Sequence, residues 1–73
     1  MIEKILAYIL ACCNNSDFDQ TTVALISENL KISRSQVSVV LNKLVKEHKL
    51  IRIESKPFCF ISVEYLKEKS IPF

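Results

Sequence analysis

Ile32-Ser33-Arg34-Ser35-Gln36-Val37-Ser38-Val39-Val40-Leu41-Asn42-Lys43-Leu44-Val45 is the stretch that decides how this chain folds. Ser33 precedes an apolar-periodic run and Gln36 follows three residues later, the S-x-x-Q form of a capping box. In that box the Ser33 hydroxyl accepts from the Gln36 amide, and the Gln36 side chain reaches back to the Ser33 amide. Val37, Val40, Leu41, Leu44 and Val45 then recur at helical spacing and form one apolar stripe. The opposite face reads Ser35, Gln36, Ser38, Val39, Asn42, Lys43 and Lys46, with no acid before Glu47. A helix with a buried stripe and a face of short polar and basic side chains suits a DNA major groove. A solvated amphipathic helix has the same pattern, so the neighbouring segments must decide between them.

Only Lys31 and Ile32 separate this third helix, about 34–47, from the preceding apolar run. Thr21 or Thr22 caps that second helix, and Val23, Ile26, Ser27 and Leu30 face inward. Ser27, being small, lets another helix cross closely. Helices joined by so tight a turn cross steeply, as in a helix-turn-helix, with Ile32 pinning the corner. Further upstream, Ile2, Ile5, Leu6, Ile9, Leu10 and Cys13 predict an amphipathic helix over 2–14, with Tyr8 and Cys12 flanking the stripe. Phe18, between Asp17 and Asp19, is expected to plug the core from a short extended segment.

Downstream of the third helix the period changes. Residues 49–54 and Phe58-Cys59-Phe60-Ile61 are rich in β-branched and aromatic side chains and flank Ser55-Lys56-Pro57. They predict a β-hairpin with a short tip, and Pro57, lacking an amide donor, suits the turn. Leu50 and either Ile53 or Ile51 face the core, depending on a register that the pattern leaves open. Ser62 caps a last short helix through Lys69, with Val63, Tyr65 and Leu66 apolar. Tyr65 is read as a core or dimer contact. The expected fold is mainly α with a small β-hairpin, a winged helix-turn-helix of three helices plus wing. The domain is placed at 1–69, with 70–73 a tail or the start of a linker.

Composition agrees with one small domain. The chain has 73 residues, 49% of them hydrophobic, enough for a compact core near the lower size limit for folding without staples. Glycine is absent, which excludes glycine-rich phosphate loops and dinucleotide fingerprints. Cys12, Cys13 and Cys59 make no disulfide framework and no C-x-x-C pair; they read as free core thiols. The single histidine, His48, lies in a basic run that suits zinc poorly. It has no nucleophile near it in sequence, and adjacent Glu47 does not share its helical face. No enzyme, metal or cofactor is expected. The apolar start is too short for a membrane span and lacks a signal peptide's positive charge, so the expectation is a soluble cytoplasmic protein without a membrane partner.

Net charge is only +2, but its distribution is uneven. Residues 31–56 hold Lys31, Arg34, Lys43, Lys46, Lys49, Arg52 and Lys56 against Glu47 and Glu54, a balance of +5, whereas residues 1–30 balance to −3. Such local clustering is the electrostatic footprint of phosphate binding.

Over roughly 20–61 the chain resembles bacterial winged helix-turn-helix transcriptional regulators, through Ile32 to Ser38, Leu41 to Val45 and Lys49-Leu50-Ile51. More narrowly, residues 50–60 look like the wing of sigma-54-dependent activators of the levanase-operon-regulator type, whose hairpin reads much like G-R-P-V-Y-F. Here Ser55, Lys56 and Phe58-Cys59-Phe60 stand at the corresponding positions. That resemblance implies an N-terminal DNA-binding domain followed by an ATPase module and further domains of a longer regulator. A chain that starts directly at its first helix fits that place. Lys31 and His48 depart from it, because they stand where relatives usually carry glycine to close a helix in the left-handed conformation.

The function expected is sequence-specific binding of double-stranded DNA. Ser33 and Arg34 stand in the interface at the helix start, Arg34 as a phosphate or base contact, and Ser35, Gln36, Ser38, Val39 and Asn42 are the base-reading candidates, with Val39 able to meet a thymine methyl. A Gln36 engaged in capping would be less free to pair with adenine. Lys43 and Lys46, further along, suit phosphates, which position without specifying sequence, and Lys56 at the wing tip suits the backbone. Val39 also motivates the alternative, a winged-helix protein–protein interaction or dimerisation module that binds no DNA. A homodimer through the first or last helix is compatible with either.

Overall fold

The computed structural model describes residues 1–69, so the expected tail at 70–73 lies outside the described residues. The chain is mainly helical: α1 (Ile2–Asn14), a short 3-10 turn (Phe18–Gln20), α2 (Val23–Leu30), α3 (Arg34–Lys46), β1 (Leu50–Ile53), β2 (Cys59–Ser62) and α4 (Val63–Lys69). β1 and β2 form a two-stranded antiparallel hairpin.

Each helix after α1 starts on a hydroxyl that accepts from an otherwise unpaired amide of the first turn. Thr22 accepts from the Leu25 N–H at 3.3 Å, Ser33 from Gln36 at 3.2 Å and Ser62 from Tyr65 at 3.3 Å. Of the two threonines, Thr22 is therefore the cap. Among the described residues three helix ends are closed by a residue in the left-handed region, and in this glycine-free chain those residues are Ser16 (φ 61°), Lys31 (φ 56°) and His48 (φ 62°). After His48 the Lys49 N–H bonds the Leu44 carbonyl at 2.9 Å and the His48 N–H bonds Val45 at 3.0 Å. The same pair of bonds runs from Asp17 to Cys12 and from Ser16 to Cys13. Both are Schellman closures. A side chain with a Cβ costs about 1 kcal/mol there, which the orphan carbonyls offset by being bonded.

The core is one cluster: Ile5, Ile9 and Cys13 of α1, Ile26 of α2, Val37, Val40, Leu41 and Leu44 of α3, Leu50 of β1 and Phe60 of β2. The α3 stripe is buried as the spacing predicts, except that Val45 stays at the edge. On α1 the buried line runs Ile5, Ile9, Cys12, Cys13, with Leu6 and Leu10 only half-buried. It is rotated toward Cys12 because the 3-10 turn and α2 cover that side: the Tyr8 hydroxyl donates to the Gln20 carbonyl at 3.0 Å and accepts from the Asn29 side-chain amide at 3.0 Å. Burial pushes the Tyr8 phenol and the Cys12 thiol up from their ordinary values, so both are protonated at neutral pH. All three cysteines are free, but Cys59 is half-exposed on the outer face of the hairpin rather than in the core.

The register pairs Leu50 with Ser62, Ile51 with Ile61, Arg52 with Phe60 and Ile53 with Cys59. Since strand faces alternate, Leu50, Phe60 and Ser62 turn inward and Ile51 and Ile53 outward, where they are 43% and 40% exposed. The expectation that an isoleucine of β1 joins Leu50 inside is thereby corrected. Phe18 is held by a 3-10 turn rather than an extended segment, half-buried, its ring 5.9 Å from that of Tyr65 in an edge-on contact. Tyr65 is thus a contact to the body of the domain.

Thr21 ties the hairpin to the helices. It is wholly buried; its hydroxyl donates to the Phe18 carbonyl at 2.7 Å and accepts the Phe60 N–H at 3.1 Å. Thr21→Val keeps the shape but strands a buried amide and a buried carbonyl, so it should lower stability by about 2 kcal/mol. The check is urea unfolding of the variant beside Thr21→Ser, which should retain most of the stability.

Candidate nucleic-acid interface

The α2–α3 corner sets which side of α3 faces out. Lys31 takes the left-handed conformation, the Ile32 N–H bonds the Ser27 carbonyl at 3.1 Å, and the Ser27 hydroxyl donates to the Ile32 carbonyl. Ser27 thus serves as a clamp on the turn, beyond the small spacer that its size suggests. Ser33 follows at once in an extended conformation and caps α3.

With Val37, Val40, Leu41 and Leu44 buried, the exposed stripe of α3 is Ser35, Gln36, Val39, Asn42, Lys43 and Lys46. Val39 lies at its centre and is 68% exposed. Ser38 is half-buried on its flank. Arg34 and Ser33 are exposed at the helix start. No carboxylate interrupts α3 between Arg34 and Lys46. Lys43 and Lys46 also stand in the last turn, where cations meet the negative end of the helix dipole, so part of their presence is accounted for by the helix itself.

The capping box forms only in its first half. The Ser33 hydroxyl accepts the Gln36 N–H, but no return bond from the Gln36 side chain to the Ser33 amide is made. The Gln36 carboxamide is exposed instead.

The hairpin brings a further cation to the same region. Its tip spans residues 54–58, longer than the three-residue tip expected. The Ser55 hydroxyl donates to the Pro57 carbonyl at 2.8 Å. The Arg52 guanidinium lies 5.2 Å from the centroid of the Phe58 ring and 3.7 Å from Glu54. Folded in this way, Lys56, Pro57 and Phe58 line one groove with Arg34 and with Val23 and Ala24 at the start of α2. Arg34 and Lys56, distant in sequence, therefore share a cleft beside the exposed stripe. Arg52 and Phe58, which shape the tip, were not among the sequence candidates; the alternating strand pattern could not show that they stack.

Met1 is the other residue that the pattern missed. It is 56% exposed and lines an apolar depression with Ser35, Gln36, Val39 and Val40 of α3. No sequence signal links it to α3, because only the packing of α1 brings it there.

Comparisons with known protein families, characterised proteins and solved structures return no match. Among the described residues no group of His, Cys, Asp and Glu side chains could hold a metal ion, and no helix is long and apolar enough to cross a membrane.

The geometry of Ser33 and Gln36 separates their roles. Ser33→Ala should cost about 1 kcal/mol of stability through loss of the cap. Gln36→Ala should stay within about 0.5 kcal/mol. Thermal unfolding of both variants measures the difference; equal losses would mean that the return bond of the capping box forms in solution.

Proposed function

We propose that this chain is a winged helix-turn-helix domain that binds double-stranded DNA sequence-specifically, as the targeting domain of a transcriptional regulator. The observation that carries this reading is the convergence of Arg34 and Lys56 in one groove beside an α3 face without carboxylates. In this reading α3 enters the major groove, which is wide enough for a helix. The hairpin is the wing and lies along the backbone. Ser33, Arg34, Lys43, Lys46 and Lys56 are positioned for phosphates, whose contacts set register and orientation. Ser35, Gln36, Ser38, Val39 and Asn42 are positioned for base edges. The likeness of residues 50–60 to the wing of sigma-54-dependent activators of the levanase-operon-regulator type supports a place in a longer, cytoplasmic bacterial regulator. A single domain of this size makes few phosphate contacts, so paired half-sites and a dimer would raise its affinity.

Titration of a promoter-derived duplex at several salt concentrations tests the reading. The logarithm of the binding constant should fall with the logarithm of salt concentration at a slope of about −0.9 for each phosphate engaged. Arg34→Ala with Lys43→Ala should reduce that slope by about two contacts' worth. A flat salt response, or a slope unchanged in the double variant, would overturn it.

A second reading, a winged-helix module that binds protein or dimerises without DNA, draws on the exposed apolar pair Val39 and Met1. It expects Val39→Asp to abolish a complex visible by size-exclusion light scattering, in a chain whose DNA titration is flat. Complexes that survive Val39→Asp remove its main support.

A further inference from the structure

We infer that Gln36, Val39 and Asn42 form a reading edge for consecutive A·T base pairs, with Val39 seated on a thymine methyl. This assignment rests on the double-stranded DNA reading and adds the base class that the helix selects.

The three residues stand at i, i+3 and i+6, so they follow one another along a single face of α3, each about 5–6 Å from the next. That spacing is of the order of one to two base-pair steps, since successive pairs rise by about 3.4 Å. All three side chains are exposed. The Gln36 carboxamide is not spent on the helix cap, as the missing return bond to Ser33 leaves it outward. No hydrogen bond or ion pair within the described residues engages the side chain of Gln36 or Asn42. Two carboxamides therefore flank one branched apolar group.

Val39 is 68% exposed at the centre of that face, where a polar side chain would suit water better. With Met1, Ser35, Gln36 and Val40 it lines an apolar depression. In the major groove only thymine offers an apolar projection, its C5-methyl group, while adenine offers an N7 acceptor beside an N6 donor. A carboxamide matches adenine because it carries one donor and one acceptor side by side. Guanine offers two acceptors there, and cytosine only a donor, so neither meets a carboxamide with two bonds or Val39 with a methyl. The order amide, apolar group, amide is thus complementary to A·T pairs and to no G·C run. The adjoining cations, Arg34 and Lys56 in the groove at one end and Lys43 and Lys46 at the other, match the phosphates on either side of such a tract.

The test selects duplexes from a random-sequence library with the full chain, then replaces thymines of the enriched duplex by deoxyuridine, which removes only the methyl group. Enriched duplexes should share consecutive A·T pairs. Deoxyuridine at one position should weaken binding about fourfold, the effect of losing one buried methyl-sized contact. In Val39→Ala, whose substituted position is exposed, that sensitivity should disappear. In Gln36→Ala it should persist while discrimination at the neighbouring pair relaxes. Circular dichroism verifies that both variants fold.

Enrichment of G·C pairs, indifference to deoxyuridine at every thymine, or a deoxyuridine loss of equal size in Val39→Ala would overturn the inference. If binding is salt-dependent in those cases, the DNA-binding reading stands and only the base assignment falls. Absence of salt-dependent binding overturns both.

Discussion

The clamp between Ser27 and Ile32 is the constraint on which the rest of the structure depends. Within three residues the chain must end α2, turn, and start α3. It does so with a left-handed Lys31, a bond from the Ile32 amide to the Ser27 carbonyl, the Ser27 hydroxyl on the Ile32 carbonyl, and the Ser33 cap. Because these bonds are local, the start of α3 is set by residues within a few positions of the turn. Its apolar stripe then reaches Ile5, Ile9 and Ile26, and its polar stripe has nowhere to go but outward. The composition of that outer stripe is a consequence of the corner as much as of α3 itself.

A chain without glycine must close its helices at some cost in backbone strain. Ser16, Lys31 and His48 bear it, and each closure is stabilised by bonds to carbonyls that would otherwise lack partners. The Lys31 and His48 closures also define where α3 begins and where β1 follows. Their strain is accordingly spent on the geometry of the exposed face. Thr21 completes the arrangement from the other side, since its single hydroxyl holds the 3-10 turn and β2 together. The hairpin tip is thereby brought against the start of α2 and α3, and Arg34 and Lys56 come to share a groove. The charge at that groove is thus a product of packing: two exposed cations from distant segments line it because a buried hydroxyl and an apolar core fix the hairpin.

Helix identities and most boundaries were legible because they depend on interactions a few residues apart. Ser33 before an apolar period, and Ser62 before Val63, announce helices that the structure contains. The left-handed residues Lys31 and His48 stand where glycine was expected to close a helix; Ser16 had no such cue. The hairpin was legible as an element but not in its register, because Ile51 and Ile53 are as apolar as Leu50 and only the pairing with β2 decides which side is buried. Phe18 misled in its local conformation, since an isolated aromatic residue says that it is buried but not how its backbone turns.

By itself, the sequence determined the helical stripes, the caps, the tight α2–α3 connection and the clustering of positive charge over 31–56. These follow from periodicity and from short-range hydrogen bonds, which are properties of neighbouring residues. Tertiary structure alone decided that Met1 lies beside Val39 and that Arg34 and Lys56 line one groove. Each joins residues far apart in the chain. Such choices are made by the core as a whole, so no local pattern can carry them.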